Sequence, residues 1–348
     1  MTRTSHSSRA TVGEEASPEP VTPDQTMEAI VQRRYGSPAV LGLERVDRPR
    51  IGDDDVLIRV RAAAVNHADW VLTTGRPLIG RLAFGLRRPK ERVRGMDVAG
   101  LVEAVGAGVT GFRPGDEVYA QVPAGGFAEF TRAPAALVSP KPANLSFEQA
   151  ATVPLAANTA LQGLRDAGGL RAGQRVLVNG ASGGVGSFAV QIARALGAEV
   201  TGVCSARNVD LVRSIGADEV IDYTRHDFTA NGRRYDLILD LIGNHPVRSC
   251  IGSLTPTGTL VLSSGTGGRV LGPLGRVVGA LVLSRFVSQS VRTFVGTPSR
   301  ENLDLLRTLV ESGKVTPVVD RSYPLRDVPG AIRHFAEVHA RGKIVVTL

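Results

Sequence analysis

Residues 178–186 read Val178-Asn179-Gly180-Ala181-Ser182-Gly183-Gly184-Val185-Gly186. The run closes an apolar stretch, RVLVNG (175–180), and opens GSFAVQIARALG (186–197), whose apolar residues recur at helical spacing. A glycine-rich turn between a buried strand and a helix lets backbone N–H groups approach an anion, and the helix N-terminus adds its dipole. With further strand–helix units downstream, this arrangement suits a dinucleotide diphosphate, held on Ser182, Gly183, Gly184 and Val185. A Walker-type phosphate loop is excluded, because no Gly-Lys-Ser/Thr follows.

The next strand, EVTGVC (199–204), runs into Ser205-Ala206-Arg207-Asn208. A site for NAD usually places Asp or Glu here, against the ribose 2′-OH. This chain has neither. Ser205 and Arg207 suit a 2′-phosphate instead, since guanidinium and phosphate form charge-assisted hydrogen bonds. Tyr223, at the end of the third strand, can add a hydroxyl. The expected cofactor is therefore NADPH. Leu241 to Gly243 and Ser263 to Gly265 fall at later strand ends, where ligands of such sheets lie. Leu241, Gly243, Ser263 and Gly265 are the candidates there.

The elements that position these residues differ along the chain. Residues 1–26 are polar and rich in Ser, Thr, Pro and Glu, and read as a disordered tail, since they cannot bury enough apolar area to offset their ordering entropy. From Met27 to about residue 150 the signals are β-like: VLIRVRAAAV (56–65) alternates, and residues 97–120 are short apolar runs cut by Gly and Pro, as in a small barrel. Strand and helix patterns then alternate through GTLVLSSG (258–265), which implies βαβ units and a parallel sheet. ENLDLLRTLVESGK (301–314) predicts a helix, and RGKIVVTL (341–348) a closing strand.

Composition narrows the classes. The net charge of +8 comes with no nucleic-acid-binding motif, and the longest basic run is Arg87-Arg88-Pro89-Lys90, so a nucleic-acid partner is not expected. Two cysteines, Cys204 and Cys250, are too few for a disulfide framework or a thiolate metal site, which suits a reducing, cytoplasmic setting. No apolar run of 18 residues and no signal-peptide core is present, so stable membrane insertion is not expected. Short-chain dehydrogenases are excluded, because none of the five tyrosines precedes a Lys by four residues.

Five further stretches complete a pattern: Ala63-Ala64-Val65-Asn66-His67-Ala68-Asp69, Gly95-Met96-Asp97-Val98-Ala99-Gly100, Arg113-Pro114-Gly115-Asp116-Glu117-Val118, Gly125-Gly126-Phe127-Ala128-Glu129, and Asn179 to Gly186. On these, the chain from Met27 to Leu348 resembles the medium-chain dehydrogenases/reductases, in their zinc-free quinone oxidoreductase branch. The resemblance implies an α/β fold: a Rossmann doubly wound parallel sheet (155–293) inserted into a GroES-like β-barrel catalytic domain (27–154 and 294–348). It also implies a cytoplasmic homodimer.

The zinc branch of that family carries ligands at three places. Here they read Asn66, Met96 and Ala156-Ala157-Asn158-Thr159, which lack the N and S donors that Zn²⁺ uses. No metal is expected. By the same resemblance Asn66 lies at the nicotinamide and substrate pocket, with an amide able to donate, and Thr159 beside the nicotinamide ribose. Asn66, Asp69 and Trp70 are the catalytic-side candidates, although Asp69 reads as an orienting or capping residue and Trp70 as a packing one. His67 reads as a surface residue.

Without a Lewis acid, hydride addition needs an acceptor that is already electron-poor. The expected substrate is a small lipophilic conjugated carbonyl or a quinone. Leu78 to Lys90 and Arg269 to Phe286, both basic and apolar, read as helices of a dimer or as walls of an apolar mouth. A reductive-cyclising tailoring enzyme and a non-catalytic NADPH-binding regulatory protein stay open as alternatives.

Overall fold

The computed structural model describes residues 25–263, 270–272, 274–338 and 340–348. Residues 1–24 of the expected tail and Gly265 lie outside the described residues. Gln25 and Thr26 belong to the fold: Arg48 N–H donates to the Gln25 carbonyl at 2.8 Å, and Thr26 pairs with Asp47.

The first half is antiparallel. β1 (Thr26–Gln32) and β2 (Leu41–Asp47) form a two-stranded sheet. β3 (Asp55–Val65), β4 (Asp97–Val105), β5 (Glu117–Gln121), β6 (Phe130–Pro134) and β7 (Val138–Pro140) belong to a larger sheet centred on β3. Their inward residues alternate, as a one-sided sheet requires. Val56, Ile58 and Val60 pack with Val98, Val118 and Phe127.

Six parallel strands follow: β8 (Arg175–Asn179), β9 (Glu199–Cys204), β10 (Glu219–Asp222), β11 (Tyr235–Asp240), β12 (Leu254–Leu262) and β13 (Ser290–Thr293). Their spatial order is β10-β9-β8-β11-β12-β13, so the direction of winding reverses between β8 and β11. Ligands of open α/β sheets lie at such a reversal, beyond the strand C-termini. The chain then returns to the first sheet through β14 (Val319–Pro324) and β15 (Lys343–Thr347), and β15 docks antiparallel on β3.

Several helices, the following two among them, depart from the β-like or undivided patterns of the sequence. His67–Thr74 interrupts the β region directly after β3. It starts there because the Asp69 carboxylate accepts the Asn66 backbone N–H at 2.8 Å, one half of a capping box. Val328–Val338 buries Val328, Ala331 and Ile332 on one stripe against the barrel.

The Arg300–Glu311 helix buries Leu303, Leu306 and Val310. The fully buried Tyr119 hydroxyl of β5 donates to its Leu303 carbonyl at 2.7 Å, and Ser139 Oγ of β7 to Asp304 Oδ1 at 2.6 Å. Tyr119→Phe should therefore cost about 1–2 kcal/mol of stability, the net worth of a buried hydrogen bond with little change in packing. Urea unfolding measures it, and an unmoved midpoint would show that the hydroxyl does not hold this helix.

Candidate functional site

The glycine-rich turn sits where β8 meets the Gly184–Ala195 helix. A Cβ on Gly186 would lie 2.0 Å from the Gly180 carbonyl, so only glycine permits this closure. Gly183 is different. A Cβ there would meet only the Gly180 carbonyl, at 3.4 Å, so the chain itself leaves room above the turn. The first N–H groups of the helix have no intrahelical acceptors. The room beside Gly183, at the N-terminus of a helix, fits a diphosphate.

At the far end of the turn, Ser205, Arg207 and Tyr223 line one cleft of about 360 Å³, with Glu337 and Val338 opposite. Tyr223 is exposed, and Arg207 donates from Nη2 to the Val338 carbonyl at 2.7 Å. The three residues named for a 2′-phosphate thus share one cleft. Glu337 is an acidic neighbour that sequence reasoning did not anticipate, because it comes from the C-terminal helix.

Beyond β11 the strand ends meet at Asp240, which is fully buried. Its Oδ1 accepts from Asn179 Nδ2 at 2.8 Å, Gly243 N–H at 2.9 Å and Ile242 N–H at 3.2 Å, and its carbonyl accepts Ser263 N–H at 3.2 Å. Arg276 pairs with Oδ2 and also donates to the Gly243 carbonyl at 2.9 Å. Leu241 packs on the core, whereas Ile242 is exposed at the Gly180 turn. Asp240 and Arg276 were missed from the sequence. The pairing of β8 with β11, which sets Asp240 beside Asn179, was the signal that needed a fold to see.

Asn66 lies at the corner where β3, β4 and β15 meet. Val65 pairs with Ile344 and Ala64 with Asp97, so the two registers bring Asn66, Asp97 and Lys343 together. All three are buried. Asn66 Nδ2 donates to Asp97 Oδ2 at 3.0 Å and to the Ala64 carbonyl at 3.3 Å, and its Oδ1 accepts from Lys343 Nζ. Both amide hydrogens are therefore engaged inside the protein. The expected free amide donor is not available in this arrangement, because a buried carboxylate and a backbone carbonyl already claim it.

Asp97 Oδ1 accepts Leu155 N–H at 3.0 Å, which anchors the Pro154–Leu161 helix carrying Thr159. Thr159 Oγ1 faces Gly296, whose Cβ would lie 2.7 Å away. Trp70 packs against the barrel core, and His67 is exposed beside Phe335. Burial raises the Asp97 pKa and lowers that of Lys343, and their mutual attraction opposes both shifts. Burial also pushes Asp69 up to about 7, against the Asn66 N–H bond that favours its charged form. Among the described residues no group of three His, Cys, Asp or Glu side chains is placed to hold a metal ion.

Two families match the chain: the alcohol dehydrogenase GroES-like domain over residues 52–143 and the zinc-binding dehydrogenase family over residues 215–346. The chloroplast envelope quinone oxidoreductase homolog of Arabidopsis thaliana is 33% identical, over 92% of this chain and 98% of its own. The chloroplastic NADPH-dependent alkenal/one oxidoreductase of the same plant is 35% identical, over 92% of this chain and 79% of its own. The quinone oxidoreductase of Coxiella burnetii superposes with a TM-score of 0.81 at 29% identity, covering 93% of this chain and 99% of that one. The protein is thus a two-part oxidoreductase built from a GroES-like barrel and a Rossmann sheet. The chain belongs to the quinone oxidoreductase-like family of medium-chain dehydrogenases/reductases.

Asp69 offers a test through pH. Its folded pKa of about 7 exceeds its ordinary value of 3.8, so the native state binds the extra proton. Stability then falls as pH rises through that window. Asp69→Asn keeps an acceptor for the Asn66 N–H without the charge. It should gain stability relative to wild type as pH rises from about 4 to about 7 and hold that gain above, whereas Asp69→Ala should lose about 1 kcal/mol with the cap. Urea midpoints at both pH values read this. A wild-type advantage that grows with pH would mean that Asp69 is held as a carboxylate.

Proposed function

We propose that this chain is an NADPH-dependent, zinc-independent reductase of conjugated carbonyls and quinones. The observation that carries the reading is the corner at Asn66. At the three places where zinc-dependent relatives carry ligands this chain has Asn66, Met96 and Ala157, and the Asn66 amide is itself bonded to Asp97 and Lys343. The name of the matching family refers to zinc, but this donor set is not one that Zn²⁺ uses.

When bound, NADPH supplies the hydride. The turn at Gly180 to Gly186 receives the diphosphate. Arg207 exchanges the Val338 carbonyl for the 2′-phosphate, with Ser205 and Tyr223 beside it, and the absence of an acid at the end of β9 favours the phosphorylated cofactor over NADH. Asp240 fixes the Leu241–Gly243 segment at the winding reversal, where the nicotinamide end belongs, and Thr159, Ser263 and Gly265 complete that reading. The negative charge that the acceptor gains is delocalised to a distal oxygen, so hydrogen-bond donors can suffice where an isolated alkoxide would need a metal.

The acceptor enters through an apolar rim. Ile79 N–H donates to the Val270 carbonyl at 3.1 Å, which joins the two apolar stretches into one surface exposing Leu82, Phe84, Leu271 and Val278. A lipophilic substrate fits such a mouth. No described helix is long and apolar enough to cross a membrane. A homodimer belongs to the same reading, since β13 is an edge strand of the parallel sheet among the described residues and an edge strand can pair with a second copy. Buried, unbridged Cys204 and Cys250 suit a reducing, cytoplasmic compartment.

The purified enzyme should oxidise NADPH with a long-chain enone and with a quinone, more slowly with NADH, and should ignore a saturated ketone. Activity should survive EDTA. Turnover confined to the saturated ketone, or lost with the chelator, would return the chain to metal-dependent carbonyl chemistry.

A further inference from the structure

Lys343 is 3% exposed and heads a strand whose next three residues are buried. A buried ammonium is retained only where acceptors surround it, and well-packed apolar residues often replace buried ion pairs without loss. Here Nζ meets the Val65 carbonyl at 3.1 Å, Asn66 Oδ1, and Asp97 Oδ2 at 3.5 Å. The stem has a second contact. A Cβ on Gly184 would lie 3.0 Å from Lys343 Cδ, so the side chain runs directly against the dinucleotide turn. The adjoining backbone is tied to the same turn, with Gly342 N–H donating to the Ser182 carbonyl at 2.9 Å.

These contacts decide how Asn66 stands. An ammonium can only donate, so it selects the amide oxygen, and a carboxylate can only accept, so Asp97 selects the amide nitrogen. With both partners present, one of the two amide orientations is allowed. We infer that Lys343 is a positioning residue: it locks the Asn66 amide at the acceptor side while its stem supports the dinucleotide turn, and so sets the distance between the two seats. This inference rests on the reductase reading above. Approach geometry between hydride donor and acceptor is where such a residue acts, because a displacement of about 1 Å can cost about 100-fold in rate.

Lys343→Met keeps a stem of similar length and removes the ammonium. Three readings are taken: the dissociation constant for NADPH, kcat with its isotope effect from NADPH deuterated at the transferring position, and hydrogen exchange of the Asn66 side-chain amide, assigned by loss of its resonance in Asn66→Asp. The NADPH dissociation constant should stay within about threefold, since the stem remains under the turn. The turnover number should fall about 10- to 100-fold and the isotope effect should rise, as hydride transfer becomes limiting. Exchange of the Asn66 amide should accelerate. If the lone Asp97 charge prevents folding, Lys343→Met combined with Asp97→Asn removes both charges and is read for kcat, isotope effect and affinity in the same way. A folded variant that loses only thermal stability, with wild-type kcat, isotope effect and amide exchange, overturns the inference. Failure of the wild type to reduce any conjugated acceptor would instead sink the reductase reading. The amide exchange then decides the role of Lys343 alone: acceleration supports it, and no change overturns it.

Discussion

The arrangement depends most on one buried charge pair, Lys343 with Asp97, closed through the Asn66 amide. Each member alone would be costly in the core, and together they satisfy one another. Their meeting is set by strand register rather than by sequence proximity. β15 must pair with β3, and β3 with β4, in the registers observed before the three side chains share a corner. Asp97 then reaches on to Leu155 N–H, and Lys343 lies against Gly184. One polar knot therefore touches the barrel, the Pro154–Leu161 helix and the dinucleotide turn at once.

Asp240 is its counterpart in the parallel sheet. It collects Asn179, two backbone N–H groups of the following loop, and Arg276 from the apolar Leu274–Leu283 helix. The Leu241–Gly243 loop is thereby held at the winding reversal, and the Leu274–Leu283 helix is fastened to it. Both nodes use a fully buried Asp whose oxygens are each engaged, which is how an interior tolerates a carboxylate.

What the sequence revealed follows from where each signal lies. The glycine-rich turn was legible because strand, glycines and helix are contiguous, and five of the six parallel strands because each is a short apolar run between breaks, whereas β13, SVRT, carries no such run. Ser205, Arg207 and Tyr223 could be named together because each follows a strand end, and they share a cleft. Asn66 was singled out through resemblance, but its bonding was not foreseen, since its partners sit 31 and 277 positions away. Lys343 left one faint trace, a cation at the head of the apolar run Ile344-Val345-Val346. Glu337 left none, because only tertiary packing brings the Val328–Val338 helix to the cleft of Ser205, Arg207 and Tyr223. Local pattern reports elements and turns, whereas long-range pairing decides which polar groups are already spent on each other.

The carbon that receives the hydride distinguishes the two kinds of site. A site that polarises a carbonyl directly delivers it to the carbonyl carbon, whereas one that relies on a conjugated acceptor delivers it to the far end of the double bond. Reaction of an enone with NADPH deuterated at the transferring position, followed by NMR of the product, separates the two. We predict deuterium at the β-carbon of a saturated ketone. Deuterium on the carbinol carbon of an allylic alcohol would contradict the account.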